Sequence, residues 1–198
     1  MVAIQKQKWT VEEYLAMERA SDEKHEFLDG EIYLMSGASE NHNIIVGITL
    51  GILYNQLRKR PCSFYPSDMR VKVKGSGLYT YPDITVVCGT PEIERMDQDT
   101  LLNPTVIIEV LSPSTESYDR GKKFQHYLSL DSLQEYVLIA QDQARIERYL
   151  RQPNGEWLFA AAVGLEAVIE LSSIQCTLVL ADVYERVSFE PDEAAPSS

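Results

Sequence analysis

Two stretches decide the fold: YPDITVVC at 81–88 and TVIIEVL at 105–111. Both are mostly apolar on alternate and on adjacent positions, the pattern of central strands buried on two faces. Each carries an acid. Asp83 directly follows Pro82 at the start of the first run, and Glu109 sits between Ile108 and Val110 in the second. Acids are rare in such places, because burying an unpaired carboxylate is expensive. Two placements on strands expected to be neighbours ask for one explanation. A bound Mg²⁺ or Mn²⁺ supplies it, since hard cations take carboxylate oxygens and keep both acids ionised. The alternative is that each acid is paired with an Arg or Lys in a structural salt bridge.

Outward from these strands, the chain reads as helices and strands in alternation. WTVEEYLAMER opens a helix, with Thr10 and Glu13 as a capping box, Trp9 as a staple on Tyr14, and Val11, Tyr14 and Leu15 as its buried face. HEFLDGEIYLM follows, and its Asp29-Gly30 between apolar runs signals a hairpin. Residues 39–60 form a long helix, apolar around much of its circumference and so expected to be well buried, which Pro61 stops. Residues 62–74 alternate like a strand, with Arg70, Lys72 and Lys74 on one face. After Glu109, Ser112-Pro113-Ser114 ends the strand and residues 118–128 form a helix. EYVLIA at 135–140 is a third buried strand, and residues 144–151 and 156–163 form another hairpin. The expectation is one α/β domain over residues 1–189, built on a mixed sheet with helices on both faces, and a flexible acidic, Pro/Ser-containing tail at 190–198.

Bulk composition narrows the classes. With 198 residues and 44% hydrophobic content, the chain can bury a sizeable core. The opening residues contain no apolar run of secretory type, and the apolar stretch at 44–57 is too short and too polar to cross a bilayer. Cys62, Cys88 and Cys176 are dispersed without CxxC spacing, which reads as reduced thiols in a cytoplasmic protein. The net charge of −12 weighs against a simple nucleic-acid binder. Basic residues nevertheless cluster in Arg58-Lys59-Arg60, in Arg70, Lys72 and Lys74, and in Arg120, Lys122 and Lys123, where they could form a local strip. There is no GxSxG elbow, no phosphate-cradling GxxxxGK[ST], and no His or Cys spacing for zinc. His25 and His126 read as structural. His42, near the start of the long helix, is either a solvated helix-start residue or one that faces the acids.

The helix after Glu109 carries Asp119-Arg120-Gly121-Lys122-Lys123-Phe124. Packed back across the sheet, it can bring a lysine over the acids, and Lys123, beside Phe124 and four residues before Tyr127, is better placed than Lys122. These residues carry a resemblance. Pro82-Asp83, a spacer, and Glu109 in an apolar strand are similar to the PD-(D/E)XK nuclease superfamily. YPDITVVCG, NPTVIIEVLSPSTESYDRGKKFQHY and SLQEYVLI resemble the Uma-two type of restriction-endonuclease-like proteins, as do WTVEEYLAMER, HEFLDGEIYLMSGAS with NHN, and LADVYERVSF.

That resemblance implies a restriction-endonuclease-like α/β fold: a central mixed β-sheet flanked by helices, with an extra N-terminal hairpin and C-terminal strands. It implies Asp83 and Glu109 as ligands of Mg²⁺ or Mn²⁺, Lys123 as the catalytic lysine, and Glu26, or alternatively Glu31, as an added acid. The superfamily places its lysine two residues after the glutamate, where this chain has Leu111. The function implied is a metal-dependent endonuclease that hydrolyses DNA phosphodiester bonds by a metal-activated water, acting as a homodimer. Two other functions remain open: an inactive nuclease-fold binding or assembly module, favoured by the acidic charge and by Leu111, and a metal-dependent hydrolase of another phosphoester.

Overall fold

The computed structural model describes residues 8–95 and 97–189; the expected tail at 190–198 lies outside them. Helix α1 (Val11–Ala20) starts at Thr10, whose side chain accepts the Glu13 N–H while Glu13 reaches back to the Thr10 N–H. This is the capping box expected from the sequence. The staple does not form in the expected way: Trp9 stays 45% exposed, and Tyr14 instead stacks on Phe27 at 4.9 Å between ring centroids. Strands β1 (His25–Leu28) and β2 (Glu31–Leu34) make the hairpin. Its two turn residues, Asp29 and Gly30, have φ of 53° and 79°. Positive φ at both positions matches the turn to the twist of its strands, which is why Asp-Gly sits there.

Helix α2 (Glu40–Leu57) is capped by the Ser39 side chain. It was expected to be well buried around much of its circumference, and the structure narrows this to one face. One line of residues, Ile45, Thr49, Leu53 and Leu57, is buried, while Tyr54 is 54% exposed. The helix lies on a sheet by a single face, and neighbours cover its flanks only in part. Strand β3 (Cys62–Pro66) follows, then β4 (Arg70–Val73), β5 (Leu78–Thr80), β6 (Ile84–Cys88), β7 (Thr100–Leu101) and β8 (Val106–Leu111). A helical segment comes next, made of α3 (Glu116–Tyr118), a π-helical turn (Asp119–Lys123) and α4 (Phe124–Tyr127). The chain ends its described part with β9 (Glu135–Ala140), β10 (Arg145–Arg151), β11 (Trp157–Val163), β12 (Val168–Leu171), β13 (Cys176–Val179) and α5 (Leu180–Val183).

The strands form a six-stranded mixed sheet in the order β11-β10-β9-β8-β6-β3, a five-stranded sheet in the order β2-β1-β5-β4-β7, and the hairpin β12-β13. In the larger sheet β8 and β9 are parallel and the other neighbours antiparallel. One face carries α2, the β12-β13 hairpin and α5, with Ile84, Ile108, Val137 and Ile139 in the shared core. The other face meets the five-stranded sheet and α4 through Val87, Ile107, Leu111, Tyr127 and Tyr136. A third cluster packs α1 on the five-stranded sheet through Tyr14, Leu15, Phe27 and Tyr79. Alternation along β8 therefore sends Ile108 and Val110 one way and Ile107, Glu109 and Leu111 the other.

The run at 81–88 is not one strand throughout. After β5 the chain leaves the five-stranded sheet, and Tyr81-Pro82-Asp83 carries it across to β6 in the larger one. Proline, which has no N–H to give a ladder, sits at this crossing. Two further expectations need correction. Cys62 and Cys88 are cross-strand partners on β3 and β6 and form a disulfide with Cα atoms 4.0 Å apart; only Cys176 is free, and buried. The reduced-thiol ground for a cytoplasmic address is lost with this pairing. Arg70 and Lys72 do not join a surface strip either. Arg70 is 3% exposed, bonded to Asp97, to the Tyr81 hydroxyl and to Thr100, and Lys72 pairs with Glu94. A buried guanidinium needs such partners to offset its lost hydration. Among the described residues no helix is long and apolar enough to cross a membrane.

Candidate active site

The register of β6 against β8 pairs Ile84 with Ile108. Continued by one residue, it sets Asp83 opposite Glu109, on the same face. The two are linked through the backbone: the Asp83 N–H donates to Glu109 Oε2 at 3.3 Å, and the Val110 N–H donates to Asp83 Oδ2 at 2.7 Å. Glu109 is deep, with its side chain 5% exposed, whereas that of Asp83 is 17% exposed. Asp83 thus stands at the mouth and Glu109 at the floor.

Lys123 comes from the π-helical turn and lies over this floor. Its Nζ is 3.0 Å from Glu109 Oε1, 3.3 Å from Glu26 Oε1 and 3.4 Å from Asp119 Oδ1. Glu26 is delivered by β1 and takes a hydrogen bond from the Thr80 hydroxyl, at the end of β5. Between the two acids left open by sequence, the structure brings Glu26 to Lys123, while Glu31 lies on β2 and accepts from the exposed Tyr33 hydroxyl at 2.6 Å. Leu111, at the position where the superfamily has lysine, is a core residue against the second sheet. All four candidates named from sequence, Glu26, Asp83, Glu109 and Lys123, therefore meet in one place.

Several neighbours were not assigned from sequence. Tyr127 donates its hydroxyl to Glu109 Oε1 at 2.9 Å. Asp119 lies one helical step before Lys123, a spacing that could have flagged it. His42, left open between two roles, is at the site, with Nε2 3.1 Å from Asp83 Oδ2. His25 instead bonds Glu18 at 2.9 Å, in keeping with a structural role.

Electrostatics follow from one ammonium shared by three carboxylates, with Asp83 bonded to one of them through its N–H. Burial pushes Glu109 up from the usual 4.5 to about 8; the Lys123 charge opposes this, and the charges of Asp119 and Asp83 add to it. Burial pulls Lys123 down, but the charge of Glu109 and its other neighbours more than reverses this, and the ammonium is held well above its ordinary value. Burial likewise raises Asp119. The pH consequence for Glu109 has a definite sign. Its folded value lies above its unfolded one, so its contribution to stability is full below about 4.5 and is lost as pH rises to about 8. In metal-free buffer, the melting temperature of the unsubstituted protein relative to Glu109→Gln should fall by several degrees between pH 5 and pH 9, followed by circular dichroism. A gap that stays constant with pH would contradict this assignment.

The donor set suits a hard divalent cation. Three acids share one lysine and Asp83 adjoins them through Glu109, and Mg²⁺ is commonly held by one or two carboxylates plus a substrate phosphate. Among the described residues no three His, Cys, Asp or Glu side chains already converge into a cage, so a fit of this kind rests on the Asp83–Glu109 pair.

A mixed sheet with acids on adjacent strands and a lysine returned by the following helix places the chain in the restriction-endonuclease-like class of nuclease folds. The Uma2 family, described as "Putative restriction endonuclease", matches residues 11–181, and the chain belongs to that family. It is 36% identical over 183 residues to "Uncharacterized protein slr1290" of Synechocystis sp. (strain ATCC 27184 / PCC 6803 / Kazusa), covering 92% of this chain and 94% of that one. It is 37% identical over 163 residues to "Uncharacterized protein sll1609" of the same strain, covering 82% and 92%. Among solved structures, a "putative nuclease belonging to DUF820" from Anabaena variabilis ATCC 29413 superposes with a TM-score of 0.71. The identity is 20%, over 89% of this chain and 97% of that one, which establishes a shared fold.

Proposed function

We propose that the protein is a Mg²⁺- or Mn²⁺-dependent endonuclease that hydrolyses DNA phosphodiester bonds. One observation carries this reading: Asp83, Glu109 and Lys123, from three separate elements, meet at one site, where Glu109 takes both the Asp83 N–H and the Lys123 ammonium. Asp83 and Glu109 would hold the cation. When bound, such a cation activates water as a nucleophile near neutral pH and neutralises charge on the phosphate. The Lys123 ammonium, kept charged by Glu109, Glu26 and Asp119, would orient the attacking water or offset charge developing on the phosphorus oxygens. Tyr127 and the Asp83 N–H hold the Glu109 carboxylate in one orientation. Glu26 fixes Lys123 from the second sheet.

The test is incubation of purified protein with Mg²⁺ or Mn²⁺ on single-stranded, duplex and branched DNA. Cleavage is expected, and the Asp83→Ala protein should lack it. If both proteins leave all three substrates intact, the binding-module reading takes over. That alternative draws on the internal use of Arg70 and Lys72, which removes two candidate phosphate contacts.

The partner we propose is a second copy of the chain. Strand β11 is the outer strand of the larger sheet, has no charged residue, and leaves Leu158, Phe159 and Val163 about half exposed. An uncharged apolar edge strand is a template for pairing. Light scattering should give twice the chain mass; a monomer would remove this partner.

A further inference from the structure

His42 stands in the first turn of α2, and its position is fixed before its ring is considered. The Ser39 side chain accepts the His42 N–H at 3.2 Å and donates to Gln141 at 2.5 Å. Asn41, beside it, donates to the Ser188 carbonyl at 3.0 Å. These bonds tie the start of the helix to the segment after β9 and to the end of the described chain. The ring is mostly enclosed, with the side chain 13% exposed. Its Nε2 lies 3.1 Å from Asp83 Oδ2, the oxygen that already accepts the Val110 N–H. An ionised carboxylate has no proton to give, so the shared proton sits on Nε2. On the other side of the ring, Nδ1 is buried without a hydrogen-bond partner among the described residues. A histidine kept for packing would usually satisfy both nitrogens, since a buried polar atom left unpaired is a cost an apolar side chain would avoid. Among the described residues, the one polar contact this ring makes is spent on Asp83.

We infer that His42 is a positioning residue for Asp83. Its Nε2–H and the Val110 N–H both bond Oδ2, leaving Oδ1 as the oxygen that would hold the cation. The role extends the metal assignment made above for Asp83 and Glu109 and rests on it. Partners of this kind orient metal-binding carboxylates and set their basicity, and their loss typically weakens metal binding by roughly 10–100-fold. Glutamine can present an amide N–H where His42 presents Nε2–H; alanine cannot.

The experiment is calorimetric titration of Mn²⁺ into the unsubstituted protein and into Asp83→Ala, His42→Ala and His42→Gln, with a melting curve for each. The expected result is binding by the unsubstituted protein and none by Asp83→Ala. His42→Ala should bind roughly 10–100-fold more weakly, and His42→Gln should recover most of that loss. Should His42→Ala fail to fold, the glutamine protein decides: it must bind within a few-fold of the unsubstituted chain. Unchanged affinity in His42→Ala overturns the inference and leaves the metal assignment standing, as does a glutamine protein no better than the alanine one. Nitrogen hyperfine coupling from His42 to bound Mn²⁺ in pulsed electron paramagnetic resonance also overturns it, because Nε2 would then ligate the ion directly. No binding by the unsubstituted protein overturns the metal assignment itself, and the role of His42 with it.

Discussion

Lys123→Met is expected to lower the melting temperature of the metal-free protein at pH 8 by roughly 6–20 °C. Removing one member of a buried ionic group typically costs about 3–5 kcal/mol, and for a chain of this size each kcal/mol moves the midpoint by about 2–4 °C. Lys123 is an extreme case because three carboxylates share it: Glu26, Glu109 and Asp119 all lie within 3.4 Å of its nitrogen. Methionine keeps the length of the side chain but leaves those acids without a cation. They can recover by taking up protons, so the deficit should shrink as pH falls towards 5. Calorimetric melts at both pH values would show it. A change below about 2 °C at pH 8 would mean that Lys123 does not hold the site together.

Asp83→Ala is the second large effect, and it falls on activity instead of stability. Loss of a ligand to a catalytic cation forfeits several kcal/mol of transition-state stabilisation, and about 4 kcal/mol is a factor of roughly 10³ in rate. Cleavage should drop by at least that factor. The fold should change little, since Asp83 is the most exposed of the four acids and water can replace it as acceptor for the Val110 N–H. Separate readouts of rate and melting temperature distinguish the two substitutions: Lys123→Met lowers both, and Asp83→Ala mainly the first. Residual cleavage within tenfold of the unsubstituted protein would remove Asp83 from the reaction.

What the sequence revealed follows from locality. An acid inside a β-branched run is conspicuous by itself, so Asp83 and Glu109 could be named without a structure. The Asp29-Gly30 turn and the Thr10–Glu13 cap are equally local, and both formed. Lys123 needed resemblance as well, because Leu111 fills the usual position. The misses are matters of long-range pairing. Cys62 and Cys88 are far apart in the chain, and only the β3–β6 register makes them partners. Arg70 and Lys72 looked like surface charge because Asp97 and Glu94 lie in a separate loop. Nothing within β1 and β2 tells Glu26 from Glu31; the choice is made by β5, which pairs with β1 and turns Glu26 towards Thr80. Likewise, α2 is apolar nearly all round, yet its packing surface is decided by the one sheet it meets.

The π-helical turn at Asp119–Lys123 has a consequence for how this segment can vary. An α-helix advances about 100° per residue, and a π turn adds one residue to a single revolution. That extra residue changes the phase between the part of the segment that faces the acids and the part that faces the aromatic core. Asp119 and Lys123 keep one bearing while Phe124, stacked on Tyr136 at 5.1 Å, keeps another. The helix therefore behaves as two rotors joined by a fixed offset. Changes in its length are tolerable only in steps that conserve that offset, whereas its outward residues, such as Lys122 and Gln125, are free of the constraint.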